Sequence, residues 1–174
     1  MEFYEVVRTR RSIRSFKPDP IPDDVLKRVL EAARIAPSGS NRQPWRFIVV
    51  NDRKLIDSVA DACGHQRFLS EAPVLIVACG CDIKYDRGGY MGDLGMLVDV
   101  SIAVTHLILA ARAEGLGTCW IGSFSNEELK RLLHIPKDWN VVAVTPLGFP
   151  KAPFSEPGAR KPLEEIVSFN VFSP

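Results

Sequence analysis

This sequence lacks an excess of charge of either sign. Its 174 residues include 22 lysines and arginines and 21 aspartates and glutamates, which gives a formal charge of +1. A nearly neutral chain has no long-range field to attract nucleic acid or an anionic membrane, so we expect neither as a partner. Residues 1–12 also lack the apolar run of a signal peptide, and we expect a cytoplasmic protein.

Cysteine is scarce. The four cysteines are Cys63, Cys79, Cys81 and Cys119. Three of them lie in apolar or strand-like surroundings, which favours reduced, buried thiols over disulfides. Cys79 and Cys81 have a spacing that two metal ligands could use, but no second cysteine pair or histidine pair completes a site. We therefore expect no bound metal.

Several common catalytic and nucleotide-binding motifs are missing. The sequence has no Walker A pattern, no G-x-G-x-x-G after a strand and no G-x-S-x-G elbow. A P-loop, a Rossmann-type nucleotide site and a hydrolase serine are therefore not supported. None of the cysteines has an obvious catalytic base nearby in the sequence, so nothing indicates a cysteine nucleophile.

Internal repeats and low-complexity segments are missing too, and 46% of the residues are hydrophobic. This composition predicts one globular domain over residues 1–174 that is large enough to bury a core. Predicted strands and helices alternate, which favours an α/β class with helices on both faces of a sheet. The continuously apolar run at residues 74–80 is typical of a strand that is covered on both faces.

The sequence does contain a long apolar stretch at residues 93–114, which predicts one helix around which the other elements pack. A helix that is apolar all round must be buried all round. One predicted side comprises Leu94, Leu97, Val98, Ile102, Ile108 and Leu109, and the other comprises Met96, Val100, Val104, Leu107 and Ala111. Asp99 and His106, together with the flanking helix and strand patterns, disfavour a membrane span. Either the domain's own layers or a second copy of the chain could cover the helix, and we favour the second copy.

A basic segment at residues 10–16 is the first candidate site. If it is extended, alternation places Arg10, Ser12 and Arg14 on one side and turns Arg11 to the other. Two guanidiniums with a hydroxyl between them suit a phosphate, because arginine donates in a planar fork. A solvated basic loop is the alternative, although the apolar residues within the segment suggest that it is pinned to a core.

A second candidate is the loop at residues 37–45, which is bounded by prolines and rich in hydroxyls and amides. Its serine, asparagine and glutamine side chains offer donors and acceptors, and its backbone can approach a ligand closely. Trp45 either closes this loop or belongs to the core. Near the end of the chain, Arg160 and Lys161 add two cations. Together these segments suggest a mononucleotide that is held by arginines at its phosphate and by loop amides around its ring.

The sequence resembles the FMN-dependent nitroreductase family. The matching segments follow the family order and are RRSIRSF (10–16), APSGSNRQPW (36–45), GHQRF followed by AP (64–73), GLGTCWIG (115–122) and RKPLEEIV (160–167). Each motif alone is modest, but together they are specific and span nearly the whole chain. The resemblance implies an α+β fold, namely a three-layer α-β-α sandwich with a mixed, mainly antiparallel sheet. It also implies a homodimer joined by the long central helix, with two FMN sites at the interface.

The resemblance further implies a role for each matching residue. Arg10, Ser12 and Arg160 are expected at the FMN phosphate, and Arg14 at the N1–C2=O edge of the ring, where reduced flavin is anionic. Arg11 matches the motif, but alternation turns it away. The expected contacts from the opposite subunit are Pro37, Ser38, Ser40, Asn41 and Gln43. The pyrimidine side is expected to face Gln66 and Arg67, and the ring face near N5 to meet Trp120, Ile121 and Gly122.

The implied reaction is ping-pong transfer of a hydride. NADH or NADPH gives the hydride to FMN N5 and leaves, and an electron-poor acceptor such as a nitroaromatic or a quinone then takes it from the flavin. No residue is required as a general acid. The chain is shorter than many family members, which leaves the acceptor open. Reductive dehalogenation, oxygen-dependent flavin destruction and a flavin-binding sensor without turnover stay open as different functions for the same fold.

Overall fold

The computed structural model describes residues 1–83, 89–155 and 158–172. The α-helices are α1 (Phe3–Thr9), α2 (Asp23–Arg34), α3 (Arg53–Ala62), α4 (Tyr90–Ala113) and α5 (Asn126–Leu132). The strands are β1 (Trp45–Val50), β2 (Val74–Cys81), β3 (Gly117–Thr118) and β4 (Trp139–Gly148). Short 3₁₀ turns occur at Gly39–Asn41, Arg67–Glu71 and Leu163–Glu165.

Local sequence signals explain several helix boundaries. The Asp52 side chain accepts a hydrogen bond from the backbone N–H of Leu55 at 2.8 Å and caps the start of α3. Ser125 accepts from the N–H of Glu128 at 3.3 Å and caps α5 in the same way. α2 follows Pro22 and has acidic residues in its first turn, where the helix dipole favours negative charge.

The four strands form one sheet in the order β1-β2-β4-β3, and all three ladders are antiparallel. A parallel bridge between Ser12 and Thr118 adds the mixed character. The fold is therefore α+β, as the family resemblance implied. The α/β class expected from alternation alone is wrong, because alternation gives the order of elements and does not give the direction of the strands.

The sheet separates two hydrophobic clusters. One lies under α3 and α5 and includes Phe16, Ile56 and Leu129. The other lies under α2 and α4 and includes Val29 and Leu107. β2 is buried along nearly its whole length, as its apolar run predicted. The sheet thus carries helices on both faces, in three layers.

Helix α4 covers residues 90–113 and confirms the long predicted helix. Its inner side is buried as expected, by Met96, Val100, Val104, Leu107 and Ala111. Ile108 was expected on the same side as Leu94 and Leu97, but it is only 9% exposed and packs in the core with the residues of the inner side. By length and composition α4 is the one helix among the described residues that could cross a membrane, a test that the core helix of a soluble protein also passes.

The outer side of α4 forms an open apolar groove of about 680 Å³. The groove is lined by Phe3 of α1 and by Leu94, Leu97, Val98, Ser101, Ile102, Thr105, His106 and Leu109 of α4. Leu97 and Val98 are 43% and 38% exposed. The layers of this chain therefore bury only the inner side of the helix.

Candidate functional site

The basic segment at residues 10–16 is fastened to the edge of the sheet. The N–H of Ile13 donates to the carbonyl of Thr118 at 2.8 Å, and Ser12 bridges Thr118. Further along, Phe16 is 1% exposed and bridges Pro150 beyond the end of β4. The segment is thus pinned at both ends by backbone pairing and by a buried ring, and it is not a free basic loop.

Two glycines allow this close approach. A Cβ atom on Gly117 would lie 2.8 Å from Cβ of Ile13. A Cβ atom on Gly148 would lie 2.7 Å from Cδ of Pro73 and 3.3 Å from Cδ1 of Phe16. The separations of 2.8 and 2.7 Å are shorter than carbon atoms tolerate, and the one of 3.3 Å is tight. A side chain at either position would therefore push the basic segment or the neighbouring proline away from the sheet.

Glu71 joins the basic segment to the chain that follows β4. Its Oε2 atom accepts from the N–H of Phe16 at 3.1 Å, from Oγ of Ser15 at 3.2 Å and from Nζ of Lys151 at 3.0 Å. The bond from Lys151 is the main reason that the pKa of Glu71 lies below its ordinary value, followed by the Phe16 N–H. Sequence analysis missed this residue because no local pattern marks a carboxylate whose partners are 55 to 80 positions away.

Cations from both ends of the chain meet near Gly158. A Cβ atom at that glycine would lie 3.8 Å from Nη2 of Arg11 and 4.0 Å from Nη1 of Arg160. The Arg160 guanidinium also donates to the carbonyls of Gly158 and Ala159, at 3.2 and 2.9 Å. Alternation turned Arg11 away from Arg10 and Arg14, but in the structure Arg11 is the arginine that lies beside the tail, the segment from residue 158 onward. Two guanidiniums around one point supply the charge and the donor geometry that fit a phosphate.

The other predicted members of the basic segment lie close by in the chain. Arg10 is half-buried at the end of α1, and its N–H donates to the Val6 carbonyl at 2.9 Å. Ser12 and Arg14 are exposed. Arg112, on the last turn of α4, is 7% exposed and donates from Nε to Oγ1 of Thr9 at 3.0 Å. This bond ties the end of α1, and so the start of the basic segment, to the central helix.

The loop at residues 38–43 is held in an unusual conformation. Ser40, Asn41 and Gln43 have φ values of 51°, 55° and 51°. Left-handed backbone costs roughly 1–2 kcal/mol for an ordinary residue, and asparagine tolerates it best. Within the loop, the Gln43 N–H donates to Oγ of Ser38 at 2.9 Å. Strained positions of this kind cluster at functional sites, where surrounding contacts hold them.

Helix α4 supplies an anchor for this loop. The N–H of Gly39 donates to both carboxylate oxygens of Asp99, at 3.1 and 3.2 Å. Asp99 is 5% exposed. At the other end of the loop, the Pro44 carbonyl accepts from the N–H of Cys81 at 2.8 Å, and Trp45 begins β1 and packs partly against the core. The loop is therefore fastened to α4 and β2, whereas the basic segment is fastened to β3 and Glu71.

The remaining predicted residues lie at the surface or just beneath it. Trp120 is 39% exposed, and Ile121 below it exchanges two backbone hydrogen bonds with Val144, at 2.9 and 3.1 Å. Pro37, Arg67 and Gly122 are exposed. Gln66 is half-buried, and its side-chain N–H donates to the Cys63 carbonyl at 2.8 Å. The segment after β3 thus exposes the Trp120 indole and the Gly122 backbone on either side of the Ile121–Val144 pair.

No group of three or more metal-ligating side chains occurs among the residues that the structure describes. Cys63 and Cys79 are buried, and burial raises the pKa of their thiols to about 12 and about 11. At neutral pH both thiols are therefore protonated and unreactive.

Comparison with known proteins identifies the family. The family model described as Nitroreductase family matches residues 7–66 and 58–149. An Archaeoglobus fulgidus protein, provisionally named NADH dehydrogenase/NAD(P)H nitroreductase, is 38% identical over 154 residues, which are 86% of each chain. A crystal structure of a nitroreductase family protein from Clostridium novyi NT is 39% identical, with a TM-score of 0.81 over 87% of this chain and 86% of that one.

Two more distant proteins widen the comparison. The structure of an NADPH:FMN oxidoreductase from Vibrio harveyi in complex with NAD+ is 25% identical, with a TM-score of 0.89 over 99% of this chain and 78% of that one. An iodotyrosine deiodinase from Thermotoga neapolitana is 28% identical over 97% of this chain and 98% of that protein. The same fold is thus found in proteins named for different reactions.

Replacing Glu71 with glutamine is expected to lower the melting temperature at neutral pH by roughly 1–4 °C, because the contact is only partly shielded from solvent. Since the folded protein holds the pKa of Glu71 below its ordinary value, the stabilisation exists above the unfolded-state pKa of about 4.3. It is lost as the pH falls through the lower folded-state pKa. The gap between wild type and variant should therefore narrow on acidification below about pH 4.5, as measured by thermal unfolding.

Glu31→Gln is the matched control. Glu31 is also exposed, and its pKa is also lowered, but by Arg34 three positions away on the same helix. It joins no separate segments, so its loss should have a smaller effect. An equal loss in the two variants, or a Glu71 effect that does not change with pH, contradicts the role of Glu71.

Proposed function

The chain belongs to the nitroreductase family, and we propose that it is an FMN-dependent oxidoreductase that transfers a hydride from NADH or NADPH to an electron-poor small molecule. The acceptor class is a nitroaromatic, a quinone or a similar compound. One observation carries the proposal, namely that Arg11 and Arg160, from opposite ends of the chain, meet near Gly158. A further support is the basic segment that continues from Arg11 to the sheet edge next to Trp120.

The phosphate end of FMN is assigned to the basic segment and the tail. Arg10, Arg11 and Ser12 supply donors from one side, and Arg160 supplies a guanidinium from the other. Arginine binds phosphate oxygens in pairs, so a phosphate between these groups replaces the mutual repulsion of the cations by attraction. Glu71 and Gly117 position this end of the site. Glu71 holds Ser15 and Phe16, and Gly117 leaves room for Ile13 to lie against β3.

The ring end is assigned to Arg14 and to residues 120–122. When bound, FMN supplies a ring nitrogen, N5, that accepts a hydride and passes it to a second molecule. Arg14 is exposed two residues beyond the bridge between Ser12 and Thr118, and its fixed charge favours electron density on the ring. Trp120 covers one face, and the backbone around Gly122 is open enough to donate to the ring edge. Gln66 and Arg67 are assigned to the pyrimidine side.

We also propose that the active form is a homodimer in the cytoplasm. The groove on α4 exposes a continuous apolar surface, which a monomer in water rarely leaves uncovered. The apolar tail residues Phe169 and Phe172 are 85% and 88% exposed, and a partner subunit would cover them. In such a dimer the loop at residues 37–43 of one subunit, including Ser38, Ser40 and Gln43, completes the flavin site of the other.

A second candidate is reductive dehalogenation at the same site. The likeness to the iodotyrosine deiodinase covers nearly the whole of both chains, and this likeness is the observation that favours the reaction. The reaction uses the same cofactor cradle and differs in the acceptor. A panel containing a nitroaromatic, a quinone and an iodinated phenol separates the two candidates by the product that reduced enzyme forms.

The primary test is reduction of the purified protein under anaerobic conditions. Protein reconstituted with FMN should be yellow and should be bleached by NADH or NADPH, and an acceptor should restore the colour. Absorbance near the flavin maximum measures both steps. Protein that retains no FMN after reconstitution contradicts the proposal. If bound FMN stays oxidised with both NADH and NADPH, the protein is a flavin-binding module without turnover.

Arg14→Ala is expected to weaken FMN binding or to slow flavin reduction by roughly 10-fold or more, because a charge-assisted contact contributes about 1.5–3 kcal/mol. Fluorescence titration gives the Kd, and stopped-flow absorbance gives the reduction rate. Arg34→Ala is the control, since Arg34 is an exposed arginine that pairs with Glu31 on α2. If both variants equal wild type in both measurements, Arg14 has no role at the flavin.

Leu97→Glu tests the proposed dimer. The added carboxylate would be buried without a partner at the centre of the groove, which costs several kcal/mol across two subunits. We expect the variant to elute as a monomer in size-exclusion chromatography with light scattering and to lose FMN. Asn51→Glu adds the same charge at an exposed position outside the groove and should remain a dimer. A wild-type monomer, or a Leu97→Glu dimer that retains FMN, refutes the proposed interface.

A further inference from the structure

Asp99 is a carboxylate inside the apolar middle of α4, where His106 is the only other ionisable residue between Leu94 and Ala111. It is 5% exposed, although its neighbours in α4 are the groove residue Val98 and the fully buried Val100. Burying a carboxylate costs free energy unless it accepts hydrogen bonds. A small apolar residue would fill this position at lower cost, so the contacts that Asp99 makes require an explanation beyond packing.

The carboxylate of Asp99 contacts the backbone of the strained loop at residues 38–43. Both oxygens of Asp99 accept from the N–H of Gly39, which is 60 positions away in the sequence. Gly39 immediately precedes Ser40 and Asn41, which have φ values of 51° and 55°. A charge-assisted hydrogen bond to backbone N–H is stronger than one between neutral groups. The bond therefore fixes the first residue of the turn where the left-handed conformation begins.

The loop does not hold itself in this conformation through apolar burial. Gly39, Ser40, Asn41 and Gln43 are all exposed. The Ser38–Gln43 bond closes the loop upon itself, whereas the bond to Asp99 joins the loop to the helix. If that bond is lost, the exposed loop can relax to ordinary backbone conformations and solvate its own polar groups.

We propose that Asp99 is a positioning residue that holds the loop at residues 38–43 in the conformation that receives the flavin of the partner subunit. The inference rests on the proposed function, because it assigns the loop to a flavin site across the dimer. Asp99 sits on the same turns of α4 as the groove residues Leu97 and Val98. Docking of the groove therefore sets the position of the loop anchor relative to the partner, and a shift of α4 moves the loop with it.

The test compares Asp99→Ala and Asp99→Asn with wild type. In the apoprotein, hydrogen–deuterium exchange of peptides covering residues 38–43 should be at least about 10-fold faster in Asp99→Ala, while peptides from α4 keep their protection. In the FMN titration, Asp99→Ala should raise the Kd roughly 10-fold, and the reduction rate at saturating FMN should change much less. Asp99→Asn retains an oxygen that accepts from Gly39, so it should lie between wild type and Asp99→Ala in both measurements.

Asp57→Asn and Asp57→Ala are the matched controls. Asp57 is an exposed carboxylate on α3 that pairs with Arg53, and its loss should leave loop exchange and FMN affinity unchanged. If Asp99→Ala does not fold, Asp99→Asn decides the question by the same two measurements.

The outcomes separate this inference from the proposed function. Wild-type protein that binds no FMN overturns the proposed function. Wild-type protein that binds FMN, with an Asp99 variant that binds it equally well, overturns the inference alone. Weaker FMN binding without faster exchange in the loop also overturns it, because the effect then reaches the flavin by another route. Faster exchange throughout α4 would assign Asp99 to helix stability in place of loop position.

Discussion

The rest of the structure depends on the burial of α4, whose apolar residues surround the helix on every side. The sheet and α2 bury its inner side, where Leu107 and Val100 are fully enclosed. They leave the groove side open, because one sheet can cover only one face of a helix. The hydrophobic effect thus drives both the folding of the subunit and, by the same helix, the association that we propose.

The second constraint is how a basic segment is held close to a neutral sheet edge. Arginine residues repel one another and favour water, so the segment needs anchoring contacts from groups other than its guanidinium groups. The backbone bond from Ile13 to Thr118 and the buried ring of Phe16 provide these anchors, and Glu71 accepts from backbone and hydroxyl groups of the segment. In this arrangement Arg14 stays exposed, and Arg11 turns toward the tail beside Gly158.

The sequence predicted those features that depend on local pattern. The long helix and the buried strand β2 follow from composition and spacing within a few residues. Strand direction did not follow from local pattern, since a connection that contains a helix can lead to a parallel or to an antiparallel strand. The position of Arg11 did not follow either, because alternation assumes a regular strand. In the folded chain Ser12 and Phe16 form the bridges of this segment, and each pairs with a different part of the chain.

The same distinction separates Asp99 from the residues beside it. Its charge within an apolar stretch was visible in the sequence, but its partner at Gly39 was not, because the two residues are 60 positions apart and meet only in the folded chain. Sequence resemblance marked the loop residues as ligand contacts and gave no reason for their shape. In the structure the buried carboxylate of Asp99 accepts a hydrogen bond from this loop, in which Ser40 and Gln43 have left-handed φ values. As we propose for Asp99, a residue that does not contact the flavin then controls a binding site through the backbone geometry of the residues that do.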